Sequence, residues 1–196
     1  MPNAPLILAS TSRYRRELLE RLRVPFEVES PWVDETPQER EPPAALATRL
    51  ALAKAQAVAQ RHPAAWVIGS DQVADLDGQP LGKPGNHEAA VRQLRSMRGR
   101  QVVFQTAVAV VGPGHAQAQT VPVHVRFREA SDAEIEHYLR LEQPYDCAGS
   151  AKSEGLGISL LEAIVSDDPT ALIGLPLIAT CRLLREAGYP LWESAR

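Results

Sequence analysis

A few side chains in this sequence stand where they could do chemistry. Asp71 follows the apolar run Trp66-Val67-Ile68 after Gly69 and Ser70. It is expected to close a strand, the place where open sheets put ligand-binding groups. Asp34-Glu35 lies in the polar, proline-bearing stretch from Pro31 to Pro43. Two carboxylates brought together can hold a hard divalent cation, which prefers oxygen ligands. Ser10, Ser12, Arg15 and Arg16 follow another apolar run and open a helix. A helix N-terminus offers free N–H groups and positive potential, and arginines beside it complete a phosphate site. Lys54 interrupts an Ala/Leu-rich stretch and Lys83 sits in Gly82-Lys83-Pro84; near a polyphosphate either lysine offsets charge. Each residue also has a plain structural alternative: Ser12 as a cap, the aspartates as caps, the arginines and lysines as solvated surface. Singly, none decides.

Other chemistries have little support. No GxxxxGK[ST] phosphate loop occurs, and Gly155-Leu156-Gly157 lacks the third glycine of a dinucleotide fingerprint. The five histidines are scattered without an HExxH. Cys147 and Cys181 form no CxxC pair, which fits a reducing compartment and offers no zinc site. Asp75 and Asp77-Gly78 lack the twelfth-position glutamate of a calcium loop and read as a hairpin turn.

The elements that must position these groups alternate. Leu6–Ala9 suits a buried strand, and Ser10-Thr11-Ser12 caps a helix reaching about Leu22. Phe26–Glu29 alternates as a second strand. Pro42-Pro43 opens a helix whose apolar stripe is expected at Leu46, Leu50, Ala53 and Ala57. Trp66–Ile68 forms the next strand. Asp77-Gly78 turns a hairpin after Val73–Leu76, and residues 86–97 form a helix with Ala90, Leu94 and Met97 inward. Val102–Val111 and Gln117–Phe127 read as a long antiparallel pair joined through Gly112-Pro113-Gly114. Ser131 and Glu134 form a capping box for a helix to about Leu141. A glycine-containing segment, Ala148–Leu161, precedes a last helix with Leu183 and Leu184, closed by Gly188. Together these predict an α/β (mixed α+β) fold: a mixed, twisted sheet flanked by helices, one domain over residues 1–196.

Composition bounds the function. The chain has 196 residues, 44% of them hydrophobic and 23% charged, so it is globular rather than disordered. Its net charge of −3 argues against a broad basic face held on nucleic acid. Aromatics at 5% leave a core of Leu, Val, Ile and Ala. The apolar run Leu6–Ala9 is too short for a signal segment or a membrane span. A soluble, cytoplasmic protein without a membrane partner is expected.

Order and spacing carry more than any single residue. Leu6-Ile7-Leu8-Ala9-Ser10-Thr11-Ser12 with Arg15-Arg16-Glu17-Leu18-Leu19 resembles the opening motif of the Maf family of nucleotide pyrophosphatases. Val33-Asp34-Glu35-Thr36, Leu52-Ala53-Lys54-Ala55, Ile68-Gly69-Ser70-Asp71-Gln72-Val73 and Gly82-Lys83-Pro84 continue the resemblance. Cys147-Ala148-Gly149-Ser150, Ser153-Glu154-Gly155 and Gly174-Leu175-Pro176 complete it, so that it spans residues 6 to 176. Within the family the chain resembles the branch acting on 7-methyl-GTP, through Tyr14, Gln72 and Glu154. That branch usually has tryptophan where Tyr14 stands. Arg13 replaces a usual proline, and Val102 a histidine common in the other branches.

The resemblance implies an elongated Maf/ITPase-like structure with a cleft between two lobes, and a possible homodimer. It implies hydrolysis of a nucleoside triphosphate to monophosphate and pyrophosphate, with a divalent cation, Mg²⁺ or Mn²⁺, as cofactor. Asp71 would be the catalytic proton acceptor, and Glu35 with Asp71 would hold the metal. Ser10, Arg15, Lys54 and Lys83 would cradle phosphates. Tyr14, Gln72 and Glu154 would bind the nucleotide, with the Tyr14 ring facing a cationic base by cation–π attraction and the Glu154 carboxylate accepting from its N1–H and N2 edge. The plain alternative pairs Glu154 with Lys152 on a surface loop. Two rival functions are a dTTP/UTP pyrophosphatase of the sister branch and a nucleotide-binding regulator of cell division without turnover.

Overall fold

The structure, a computed structural model, describes residues 4–195. Its strands are β1 (Leu6–Ala9), β2 (Glu27–Glu29), β3 (Trp66–Leu76), β4 (Gln79–Leu81), β5 (Gln101–Gly112), β6 (His115–Phe127) and β7 (Leu161–Val165). The helices are α1 (Arg13–Glu20), α2 (Pro43–Ala59), α3 (His87–Met97), α4 (Asp132–Glu142), α5 (Leu177–Glu186) and the short α6 (Leu191–Ser194). Short 3-10 turns fill much of the chain between α4 and α5. The strands form one seven-stranded sheet in the order β2-β1-β3-β5-β6-β7, with β4 folded back on β3. Its first three strands are parallel and the rest antiparallel. This is a mixed α/β fold of the kind the alternating pattern predicts.

Side-chain alternation along the strands sorts the core onto two faces. Ile7, Ala9, Val67, Ala107 and Ala109 pack under α2 with Leu46, Leu50, Ala51 and Ala55. Leu6, Leu8, Ile68, Val108 and Val110 face the other way, against residues of the remaining helices such as Leu18, Leu94, Leu139 and Leu183. The α2 side is built from small residues, so the helix lies close to the sheet. A Cβ on Gly69 would stand 2.2 Å from the Ala51 carbonyl oxygen and 2.7 Å from the Ala55 nitrogen. Only a residue without a side chain permits that approach.

Three expectations need correction. β3 does not end at Asp71. Polar residues interrupt the apolar run there, but pairing with β5 continues unbroken from Val67↔Val111 to Asp75↔Val103. The strand that does end is β1, whose pairing with β3 finishes at Ala9↔Gly69. Ser10 therefore leaves the sheet beside Ser70, with Asp71 next along the continuing strand.

In α2 the buried stripe is Leu46, Ala47, Leu50, Ala51, Lys54, Ala55 and Val58, not Leu46, Leu50, Ala53 and Ala57. Alanines on every side leave the helix phase undetermined, and Lys54 lies on the inward face. Finally, β7 falls where no strand is expected. Leu161-Glu162-Ala163-Ile164-Val165 is a half-exposed edge strand, and its pairing is supplied by the free edge of β6.

Candidate active site

The polar residues converge on a cleft of about 860 Å³. Its lining comes from the loop after β2, α2, the middle of β3, the segment 80–83, the start of α1, the segment 146–154 and the turn 172–174. Ser10, Tyr14, Arg15, Glu35, Lys54, Asp71, Gln72, Lys83 and Glu154 all line it. Asp34, paired with Glu35 in the sequence, does not. Its Oδ1 accepts from the Thr36 backbone N–H at 2.9 Å and shapes the loop instead.

At the centre Lys54 joins two carboxylates. Its Nζ lies 2.7 Å from Asp71 Oδ1 and 2.7 Å from Glu35 Oε1. Lys54 and Asp71 are both buried, whereas the Glu35 side chain keeps 58% of its exposure. Burial pushes the Glu35 carboxyl up, but the Lys54 hydrogen bond and charge, with Lys83 and Arg15 behind, pull it further down. The net shift is downward, so Glu35 is ionised at neutral pH. Its loop is clamped to α2 by Arg49, which donates to both carboxylate oxygens of Glu41 at 2.6 and 2.8 Å and to the Thr36 carbonyl at 3.1 Å.

The phosphate-binding candidates are arranged around this pair. Ser12 caps α1 by accepting from the Arg15 backbone N–H at 3.4 Å, and buried Ser10 accepts from the Ser12 N–H at 3.1 Å. The plain reading of Ser12 as a cap is therefore correct. Arg15 Nε donates to the Gly174 carbonyl at 2.9 Å. Burial pulls the Arg15 guanidinium down while Asp71 and Glu35 oppose it; an arginine stays charged through such a shift. Lys83, in the loop after β4, is exposed at the rim, without an ion pair among the described residues.

Several residues that assemble the site carried no role in the sequence. The Ser70 hydroxyl lies 2.8 Å from the Ala107 carbonyl and 2.9 Å from that of Gly174. Gly174 has φ +123°, a conformation that favours glycine, and it aims its carbonyl at Ser70 and Arg15 together. Asp168, almost fully buried, accepts from the Ile178 and Ala179 N–H groups at the start of α5 and from the Thr170 hydroxyl. The Gly174-Leu175-Pro176 motif was the available signal for this turn; Asp168 had none beyond its acidic type.

Gln72 is more occupied than expected. Its Nε2 lies within 3.0 Å of Thr106 Oγ1 and the Ala171 and Leu172 carbonyls. Only its amide oxygen is left to face a ligand. Glu154 is exposed at the rim and is not paired with Lys152, which instead binds Glu142 Oε1 at 2.6 Å. Tyr14 does not present a free ring. The Arg13 guanidinium sits 4.7 Å from the ring centroid and donates to the Tyr14 hydroxyl at 2.9 Å. Burial pushes the neighbouring Cys147 thiol up to about 12, which disfavours its thiolate.

The donors fit a divalent cation held jointly with substrate. Glu35 and Asp71 share one cation already, the Lys54 ammonium, and no group of three or more His, Cys, Asp or Glu side chains suited to a metal occurs among the described residues. Two carboxylates completed by phosphate oxygens and water are the usual surroundings of Mg²⁺. Among the described residues no helix is long and apolar enough to cross a membrane.

A cleft with a basic cradle over two carboxylates, one of them the buried Asp71, has the parts of a nucleotide hydrolase. The family described as "Maf-like protein" matches residues 5–187, and the chain belongs to it. Proteins named 7-methyl-GTP pyrophosphatase are close in sequence. That of a Polaromonas species is 67% identical over 96% of this chain and 87% of its own. The Albidiferax ferrireducens protein is 65% identical over 93% of each, and that of Burkholderia thailandensis 61% identical over 96% and 90%. Among solved structures, the Staphylococcus aureus Ham1 protein aligns over 64% of this chain and 73% of its own, at 18% identity and a TM-score of 0.48.

Proposed function

We propose that this protein is a 7-methyl-GTP pyrophosphatase, cleaving the α–β phosphoanhydride to give 7-methyl-GMP and pyrophosphate. The observation that carries the chemistry is the Lys54 bridge between Asp71 and Glu35 inside the cleft, ringed by Arg15 and Lys83. Relatives at 61–67% identity bearing that enzyme name support the choice of substrate.

Hydrolysis of this bond is mainly a matter of position and charge. Arg15, locked to Gly174, and Lys54, locked between two carboxylates, are held in place before substrate arrives. Their side-chain freedom is already spent, which favours phosphate binding. Ser10 and Lys83 complete the cradle. Asp71 accepts the proton of the water that attacks the α-phosphorus. Glu35 and Asp71 would hold a Mg²⁺ or Mn²⁺ ion, which when bound neutralises phosphate charge and acidifies water. At the base, Glu154 accepts hydrogen bonds from the N1–H and N2 edge, Tyr14 lies alongside, and Gln72 steadies the turn behind them. The same proposal has the enzyme work as a cytoplasmic homodimer on free nucleotides, with neither nucleic acid nor membrane as partner.

The test is a panel of 7-methyl-GTP, GTP, dTTP and UTP, each with Mg²⁺ or Mn²⁺, followed by pyrophosphate release. 7-Methyl-GTP should have the highest kcat/KM. In ¹⁸O-water the label should enter the nucleoside monophosphate. Equal turnover of dTTP refutes the substrate, and label in pyrophosphate refutes the site of attack.

A further inference from the structure

N7-methylation gives the guanine ring a delocalised positive charge, and such a ring seeks the face of an aromatic side chain. Tyr14 supplies one in the cleft, but it is already engaged with a cation of its own chain, the Arg13 guanidinium. The cleft has a second aromatic. Trp32, in the loop after β2, lines it and is 85% exposed. The Trp32 indole has no hydrogen-bond or ring partner among the described residues. Leaving so large an apolar surface in water is unfavourable. Its backbone is held at φ +46°, a left-handed conformation that a bulky side chain rarely takes. Backbone outliers of this kind cluster where a side chain is aimed at a ligand.

The sheet explains how Trp32 reaches the site. β1 and β2 run parallel, with Ala9 opposite Glu29. Their chains leave the sheet side by side, one into the Ser10–Tyr14 segment and the other through Ser30 and Pro31 to Trp32. The loop is then fixed further on by the Glu35–Lys54 and Glu41–Arg49 pairs. Tryptophan is also the strongest cation–π acceptor of the three aromatic types.

We propose that Trp32 is the aromatic face on which the cationic base rests, and so a specificity-determining residue of the reaction proposed above. The inference rests on that reading of the substrate. Arg13 and Tyr14 then form a closed pair that borders the base rather than a platform under it.

The test uses the full chain with divalent metal chelated, so that 7-methyl-GTP binds without turnover. Stacking of a cationic purine on an indole quenches its emission. Titration should quench tryptophan fluorescence in the wild type and in Trp192→Phe, a helix residue outside the cleft, but not in Trp32→Leu. With metal restored, Trp32→Leu should raise KM for 7-methyl-GTP about 2- to 30-fold, the span of a cation–π contact. Its KM for GTP, whose neutral base loses stacking but no cation–π contact, should rise less, and Trp32→Phe should recover part of the loss. A wild-type preference for 7-methyl-GTP that survives intact in Trp32→Leu, or a quench that persists there, overturns the role of Trp32 and leaves the enzyme reading standing. A wild type without that preference overturns the enzyme reading and this inference with it.

Discussion

Replacing Lys54 with methionine keeps the length and most of the volume of the side chain while deleting its charge. In the wild type the ammonium lies 2.7 Å from an oxygen of Asp71 and of Glu35. The arm to Asp71 is the costly one to break, because both partners are buried, at 6% and 10% side-chain exposure. Removing one member of a buried pair typically costs ~3–5 kcal/mol. The Glu35 arm, 58% exposed on the carboxylate side, adds at most about 1 kcal/mol. Asp71 borders an open cleft, so the lower end applies, about 3 kcal/mol in all. In a chain of this size that lowers Tm by about 6–12 °C. Two carboxylates are then left without a resident cation. Mg²⁺ or Mn²⁺ alone, without nucleotide, should raise the Tm of Lys54→Met by more than it raises that of the wild type. Thermal melts with and without each ion measure both effects. Carboxyl NMR adds a third: Glu35 loses the main influence holding its pKa down, so its titration should move upward in the variant. A Tm within 2 °C of wild type, or a metal-induced shift no larger than the wild type's, refutes the view that the Lys54 ammonium is the cation shared by Asp71 and Glu35.

Asp71→Asn keeps the shape of the side chain and removes the base, so kcat should fall by ~10²–10⁴-fold while nucleotide binding, followed by calorimetry, persists; near-normal turnover would take Asp71 out of the mechanism. Glu154→Gln should lower the kcat/KM preference for 7-methyl-GTP over dTTP, whose base lacks the N1–H and N2 edge, by roughly 3- to 30-fold, the worth of a charge-assisted hydrogen bond over a neutral one. Its melting temperature should not move, since Glu154 is exposed. The Glu41 carboxyl is held at about 2, chiefly by Arg49, and Glu134 at about 2, chiefly by Arg128. Both are depressed from 4.5, so the stability they add is complete above that pH and is lost as pH falls toward 2. Glu41→Gln combined with Glu134→Gln should flatten the acid limb of a Tm-against-pH curve between those limits, with no change near pH 7 in its slope.

Much of the fold is legible because local chemistry and tertiary structure agree along most of the chain. Ser12 caps α1, Ser131 and Glu134 cap α4 as a box, and Asp77-Gly78 turns the β3–β4 hairpin. Each is a short-range rule with its own hydrogen bond. The misplacements arise where a long-range partner overrides the local signal. A polar run reads as a strand end at Gly69–Gln72, but β5 runs opposite it in unbroken antiparallel register. Leu161–Val165 has little pattern of its own and becomes a strand because β6 has an open edge.

The same distinction separates what the sequence says about the site from what it leaves out. Residue types at motif spacing can nominate Ser10, Arg15, Lys54, Asp71 and Lys83, but they cannot say which side chains meet. In an alanine-rich helix such as α2 no periodicity fixes which face carries Lys54. The close contact of Gly69 with Ala51 and Ala55, which lie on either side of Lys54 along α2, lets that face of the helix settle onto β3 two residues from Asp71. The buried lysine and the buried aspartate are each costly alone and tolerable only together, so the close approach at Gly69 is a condition for the charge pair. A Gly69→Ala chain would have to lift α2 off the sheet, and the Lys54–Asp71 contact would open with it. The chemistry of the cleft thus depends on a glycine that touches no ligand, a dependence visible only once helix and strand are seen packed.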